Sequence, residues 1–326
     1  MQIDLPLMKS TSSTELSYLA FNFVSTIAVT VINKICFSKV NFGYPAALCN
    51  IHFLVTLLGV ELLFRAKMFQ KVTVSLRDMN FIVIVLVVGV VTPLNNTSLK
   101  LNSIGFYQIF KLLVTPCVVL LEYILDKKVL SRNRAACLVA VCIFVLISSR
   151  ADMAFSTYGT VCAFLWVPLA AAYKVQWGRV RRKYNCSTLA LMQAVLPFAI
   201  CIQAAISPLV DPPGLLEFQW TREAFFWIGL SGVSAFLVNF SGFLVMGNIS
   251  ALAHVLLGQS KTAIIMLLAT ILFGSRYSAM QLLGAAGAVI GIVLYSQVTL
   301  SETNKNSKDE SKEALPLLNP KRKDVL

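Results

Sequence analysis

The stretch Phe106-Tyr107-Gln108-Ile109-Phe110-Lys111-Leu112-Leu113-Val114-Thr115-Pro116 sets a lysine, Lys111, in the middle of a long apolar run. An ammonium in hydrocarbon costs about 2.5–3.5 kcal/mol on insertion scales, so such a charge usually faces a water-filled path or an anionic ligand. The second half of the chain repeats the feature at Gly258-Gln259-Ser260-Lys261-Thr262-Ala263-Ile264-Ile265, with Lys261 again inside an apolar run. One intramembrane lysine per half is the main functional signal.

Outward from these two stretches the chain is apolar almost throughout. Of its 326 residues 57% are hydrophobic and 13% are charged, against about 25% charged in a soluble domain. The pattern is that of an all-α, polytopic membrane protein. Ten spans are expected, at 16–37, 44–65, 79–98, 104–125, 133–150, 156–178, 188–210, 222–246, 250–274 and 277–299, each near the ~20 residues that cross a bilayer. Residues 1–15 then form a short N-terminal segment, 16–150 and 156–299 two five-helix halves, and 301–326 a charged, disordered tail. No cleavable signal peptide is expected, because residues 1–17 are polar.

Charge sets the orientation. With both termini cytosolic, the cytosolic segments hold most of the 28 basic residues: Lys9, then Arg65 to Arg77, Lys127 to Arg134, Arg179 to Lys183, and the tail. The opposite face holds Lys39, Lys100, Arg150, Arg222 and Arg276. This asymmetry follows the positive-inside rule. It accounts for the net charge of +13 without a nucleic-acid partner. Five spans per half is an odd number, so related halves would be inverted in the membrane. Lys111 corresponds to Lys261, and Asn33-Lys34 loosely to Tyr173-Lys174. Inverted repeats around a midplane site are the usual build of secondary transporters.

At 1.5 Å per residue Lys111 and Lys261 lie roughly 10–17 Å from the nearest face, near the middle of a ~30 Å core. That is too deep for comfortable snorkelling. A pair of such cations suits a phosphate. Lys34 and Lys174 lie closer to span ends, where either snorkelling or binding fits. Glu61 and Glu122 are the carboxylates that could touch hydrocarbon, and both sit toward the cytosolic ends. An acidic relay for proton or sodium drive is therefore not expected. An empty site of bare lysines would resist reorientation until an anion neutralised it, which favours ligand-for-ligand exchange.

Tyr107 and Gln108 share the Lys111 face at i−4 and i−3. Tyr107 suits stacking on a planar ring, or is an ordinary interfacial tyrosine. Thr262 suits a phosphate or sugar hydroxyl, or back-bonds to its own helix. His52, Asn239 and Gln259 are further intramembrane polar candidates, with interhelical hydrogen bonding the alternative for His52 and Asn239. Gly284, Gly287 and Gly291 read as tight helix packing or a homodimer seam. The eight cysteines show no metal-ligand or disulfide spacing. There is no Walker loop and no nucleophile–base constellation, so neither an enzyme nor a cofactor is expected.

At these residues the chain resembles the nucleotide-sugar/triose-phosphate translocator family of the drug/metabolite transporter superfamily. The resemblance runs from about Phe21 to Val298. It rests on Asn33-Lys34, Gly43-Tyr44-Pro45, His52, Asn102-Ser103-Ile104-Gly105-Phe106-Tyr107-Gln108 with Lys111 and Pro116, Gly247-Asn248-Ile249-Ser250-Ala251, and Gly258 with Lys261-Thr262. The Lys-Thr pair is similar to the branch of plant Golgi carriers of UDP-xylose, UDP-galactose and UDP-rhamnose. The resemblance implies ten helices in two inverted five-helix repeats. It implies antiport of a cytosolic UDP-sugar against luminal UMP across the Golgi membrane, or else the ER membrane. It also places Lys261 and Thr262 at the phosphate end, with Lys111, Tyr107 and Gln108 across the cavity. In the plastid triose-phosphate carriers an arginine stands where this chain has Thr262, and its bidentate grip on a terminal phosphate is absent here. The alternatives are a sugar-phosphate or other organophosphate exchanger, and a non-transporting membrane scaffold.

Overall fold

The computed structural model describes residues 13–127, 129–152, 156–245 and 251–318. It is helical, with no strand among the described residues. The helices are α1 (Ser13–Ser38), α2 (Pro45–Arg65), α3 (Met79–Leu101), α4 (Ile104–Phe110), α5 (Val114–Asp126), α6 (Arg132–Arg150), α7 (Thr157–Tyr184), α8 (Thr188–Val210), α9 (Arg222–Val245), α10 (Ala251–Phe273) and α11 (Ala279–Leu318). A 3-10 turn, Lys111–Leu113, joins α4 to α5, and the two make one span, Ile104–Asp126. Among the described residues nine segments are long and apolar enough to cross a membrane; α10 contributes a shorter apolar stretch, Ser260–Phe273.

Short connections make successive spans antiparallel, so the bundle has two ends. The end carrying Ser38 also carries Asn102, Asp152 and Asp211. Lys34 there bonds the last carbonyls of α3, and Asp211 bonds the first amides of α2. The end carrying Arg65 also carries Asp78 and Lys183, which pair at 2.8 Å. Asp78 caps α3 by accepting from Asn80 N at 3.1 Å. Hydrogen bonding from Lys183 first, then from Tyr184, holds its carboxyl below the usual carboxylate range.

Every helix of the first half packs on the second: α1 on α9, α2 on α8 and α9, α3 on α7 and α8, α4 on α10, α5 on α7, α6 on α11. Large apolar side chains pointing out of the bundle, such as Leu58, Leu62, Leu267 and Leu283, are exposed. In a bilayer these meet lipid, while other large apolar side chains, among them Phe42, Leu48, Phe106 and Phe110, are buried among the helices.

The three glycines of α11 lie in the α6–α11 seam. A Cβ at Gly284 would stand 2.7 Å from Ser148 N and 2.8 Å from Phe144 O. At Gly287 it would meet the Phe144 ring at 2.4 Å, and at Gly291 Val141 Cγ2 at 2.7 Å. Their smallness serves contact within the chain. Gly284→Val, which collides with backbone that cannot step aside, is expected to cost about 1–3 kcal/mol and to lower the melting temperature of purified protein. An unchanged melting temperature with a changed oligomeric state would move the seam to a contact between two copies.

Helix α11 continues past Ser301 to Leu318. Its first turn is tied to α6: Arg134 pairs with Glu302 at 2.8 Å, and Ser131 donates to Glu302 at 2.6 Å. No glycine or proline interrupts the chain between Val298 and Leu315, so polarity alone does not end the helix. The α7 helix likewise runs beyond 178 to Tyr184. Residues 1–12, 246–250 and 319–326 lie outside the described residues, and with them most of the N-terminal segment, the Gly247–Ser250 part of the family motif and the chain's end.

Candidate functional site

The span 104–126 is straight helix only in part. Pro116 has no N–H for the Leu112 carbonyl, and its ring crowds that carbonyl. The helix tightens to a 3-10 turn over Lys111–Leu113, the kind of mid-helix break that often marks a functional hinge. Ile104 to Phe110 and Leu112 are buried, whereas Lys111 is exposed. Its exposure is to an internal cavity that it lines, about 340 Å³ in volume.

That cavity is walled by Thr26 and Asn33 from α1, His52 from α2, Asn95 and Asn96 from α3, Tyr107 and Lys111, Tyr173 and Trp177 from α7, Met192 from α8 and Asn239 from α9. The first three helices of each half therefore contribute. Its volume lies in the range of small-molecule sites. It extends toward the Arg65 end, since Met192 stands four residues into α8.

One lysine, Lys111, lines it, and two more lie close enough to sense its charge. Lys261 Nζ donates to Asn22 Oδ1 at 2.5 Å and to Thr26 Oγ1 at 3.3 Å. Thr26 is a lining residue, so Lys261 stands at the cavity's edge. Lys174 is exposed one residue from Tyr173 and three from Trp177, both lining residues. The Lys174 and Lys261 charges each feel that of Lys111. Lys111 and Lys174 have no hydrogen bond or ion pair among the described residues. Like charges with no carboxylate partner among the described residues are costly inside a bundle, and the arrangement suits an anionic ligand.

A chain of neutral groups runs along the cavity wall. His52 Nε2 lies 2.7 Å from Ser231 Oγ, Ser231 donates to Asn33 Oδ1 at 2.6 Å, Asn33 Nδ2 to Asn96 Oδ1 at 3.4 Å, and Asn96 Nδ2 to Cys49 Sγ at 3.0 Å. Asn33 Oδ1 only accepts, so the Ser231 proton points at it and His52 must donate through Nε2. The imidazole is engaged in linking α2 to α9. Tyr107 packs against Trp166 with centroids 5.9 Å apart.

The structure thus gathers Lys111, Tyr107, Asn33, His52 and Asn239 around one cavity, with Lys261 at its rim. Others stand elsewhere. Lys34 Nζ donates to Leu99 O at 2.8 Å, Lys100 O at 3.2 Å and Asn102 O at 2.7 Å. All three protons go to the C-terminus of α3, where helix carbonyls lack intrahelical donors. Thr262 is buried on the α10 face toward α11, with its hydroxyl 3.5 Å from Gly258 O. Gln108 is buried with Nε2 unpartnered and does not line the cavity. The Gln259 side chain lies outside the described residues. Asn22 and Ser231 are not site candidates on sequence grounds. Lys174, for which the sequence leaves snorkelling and binding open, lies on the side of Lys111.

The cavity is closed toward the Ser38 end. Asp211 accepts from Ala46 N at 2.8 Å, Ala47 N at 2.9 Å and Ser207 Oγ at 2.9 Å. Lys100 Nζ donates to Gly43 O at 2.7 Å. Asp152 accepts from Ser103 Oγ at 2.5 Å and from Gln281 Nε2 at 2.7 Å. Phe42 packs edge-on against Tyr44 and Phe218, with centroids 5.4 and 5.0 Å apart.

The profile of the Triose-phosphate Transporter family matches residues 14–296. The chain belongs to that family. It is similar to a protein named nucleotide-sugar uncharacterized transporter 2 of Arabidopsis thaliana, 32% identical over 93% of this chain and 77% of that one. UDP-xylose transporter 2 of the same plant is 31% identical over 94% and 88%. UDP-rhamnose/UDP-galactose transporter 1 is 29% identical over 92% and 88%. A solved crystal structure, 14% identical, superposes with a TM-score of 0.57 over 89% of this chain and 99% of that chain, which concerns the fold alone. The family is one of transporters, not enzymes.

Proposed function

We propose that this family member is a UDP-sugar antiporter that exchanges cytosolic UDP-sugar for luminal UMP across the Golgi membrane, with both termini cytosolic. The observation that carries the reading is Lys111 on a cavity that also offers aromatic faces at Tyr107, Tyr173 and Trp177, with the charges of Lys174 and Lys261 near enough to couple to it. The lysines suit the diphosphate and the rings suit base or sugar. The cluster also explains exchange: an empty site holds mutually repelling cations, so reorientation without a bound anion is disfavoured. Relatives named for UDP-xylose, UDP-rhamnose and UDP-galactose support the substrate class.

Two inverted five-helix repeats fit the packing. Exchanging α1, α2, α3, α4–α5 and α6 for α7, α8, α9, α10 and α11 turns the α1–α9 contact into α7–α3 and the α2–α9 contact into α8–α3, and leaves α2–α8, α4–α10 and α6–α11 unchanged. A two-fold relation has this property. On the positive-inside orientation the Ser38 end is luminal, so the cavity is closed to the lumen and faces the cytosol.

The test is exchange in proteoliposomes preloaded with UMP, GMP, CMP, inorganic phosphate or buffer, then offered labelled UDP-sugars and triose phosphate. UMP-dependent uptake of a UDP-sugar is expected. Phosphate-driven uptake of a three-carbon phosphate would replace the reading with an organophosphate exchanger. No exchange by folded protein with any pair would leave a scaffold.

A further inference from the structure

Two surface cavities at the Ser38 end share a wall. One is an apolar groove between α10 and α11, about 830 Å³, whose sides include Met266, Leu267, Leu282 and Val289. The other is a polar cleft lined by Lys39, Lys100, Arg276 and Asp152. Ser275 and Arg276 line both. They follow Gly274, whose φ of 63° makes the turn between the helices. Leu267 and Leu282 are exposed, so the groove opens on the outside of the bundle, where lipid tails lie.

The charges of the cleft are unequally used. Lys34 gives its protons to three carbonyls and Lys100 bonds Gly43 O. Asp152, the one carboxylate lining the cleft, is held by Ser103 and Gln281. Lys39 lies 6.0 Å from the Phe273 ring centroid. Arg276 has no hydrogen bond or ion pair among the described residues. Two exposed cations without an anion therefore stand at the mouth of an apolar slot. A soluble phosphate would satisfy the cleft and leave the slot empty. A second protein copy would need a carboxylate to meet Arg276 inside a bilayer.

We propose that this composite site holds a glycerophospholipid from the leaflet at the Ser38 end. Its phosphodiester rests on Arg276 and Lys39, and one acyl chain lies along the α10–α11 groove. From Thr270 to Thr262 the groove runs about 12 Å along α10, most of the ~15 Å depth of one leaflet's hydrocarbon. Thr262 is at its deep end, beside Lys261. A chain lying there braces the back of the helix whose lysine reaches the cavity.

The test uses the full chain purified in mild detergent and counts bound lipid by mass spectrometry, a readout independent of transport and of its substrate. Wild type is expected to retain phosphatidylserine in preference to diacylglycerol with the same chains. Arg276→Gln should lower that retention about fivefold, the factor equivalent to the ~1 kcal/mol that one basic residue contributes at an anionic membrane surface. Ala286→Trp, at an exposed position of the groove wall, should lower it at least as much, with melting temperature as the folding control. Equal retention by both variants would overturn the proposal. So would displacement of the lipid by glycerol 3-phosphate, which marks an ion site only. So would a changed oligomeric state in Ala286→Trp with lipid retained, which marks a contact between copies.

Discussion

Lys111→Gln is expected to abolish UMP-dependent uptake while leaving the empty protein at least as stable as wild type. The two effects have opposite signs for one physical reason. Lys111 has no partner among the described residues, so in the empty carrier its ammonium is a charge with only cavity water to solvate it, repelled by Lys174 and Lys261. Removing it relieves that cost. Once a substrate phosphate is bound, whether of UMP or of a UDP-sugar, the same ammonium becomes half of a buried ion pair, and truncating one partner of such a pair costs about 2–5 kcal/mol, roughly thirty-fold to several thousand-fold in affinity. Melting curves of detergent-solubilised protein with and without UMP would check both halves. The empty Lys111→Gln variant should melt no earlier than wild type, and the shift produced by UMP should vanish. A variant that melts much earlier when empty, yet keeps a UMP shift, would make Lys111 a packing residue and remove the central support of the transport reading.

The legible and illegible parts of this molecule divide along physical lines. Span positions could be read because each is a run of apolar residues bounded by charge, and the bilayer allows few other structures. Lys111 could be read because a lone cation in such a run has a large and unavoidable cost. What could not be read is where a polar side chain points once inside. Lys34 and Lys174 look alike in sequence, each a lysine near a span end. The first turns to the C-terminus of α3, and the second sits by the cavity with Tyr173 and Trp177. The choice depends on a neighbouring helix about 65 residues away, whose carbonyls leave no trace in the local pattern. Thr262 is similar. Adjacency to Lys261 suggests one site, but successive residues on a helix lie about 100° apart, and Thr262 falls on the α11 side. Asp152 and Asp211 escape notice because they lie in short connections, where acidic residues are ordinary; only the fold turns them into the bonds that close the Ser38 end. The glycines of α11 had two readings, and the 2.7 Å that would separate a methyl at Gly284 from the α6 backbone favours the internal one.

Lys34→Met provides the second large effect and separates the two kinds of lysine. Sequence pattern leaves Lys34 open to substrate contact or snorkelling, whereas its three hydrogen bonds tie α1 to the end of α3 at the closed side of the cavity. A hydrogen bond to a charged group contributes about 1.5–3 kcal/mol. Methionine keeps the apolar stem and removes every donor, so the loss falls on the state closed at the Ser38 end, where these bonds exist. On the exchange reading a carrier must visit states open at either end, and a bias of about 1–2 kcal/mol shifts their ratio by a factor of about 5–30. The expected result is greater accessibility of a cysteine placed near the closed end, for instance Val40→Cys in a background without the native cysteines, to a membrane-impermeant thiol reagent. A lower melting temperature should accompany it, with a UMP-induced melting shift retained. Uptake should fall because the cycle is unbalanced, not because the site is empty of cations. Loss of the UMP shift with melting temperature and accessibility unchanged would instead return Lys34 to the substrate site. A rise in accessibility with the shift intact would identify the α1–α3 contact as a bond the protein must break each time it opens toward the Ser38 end.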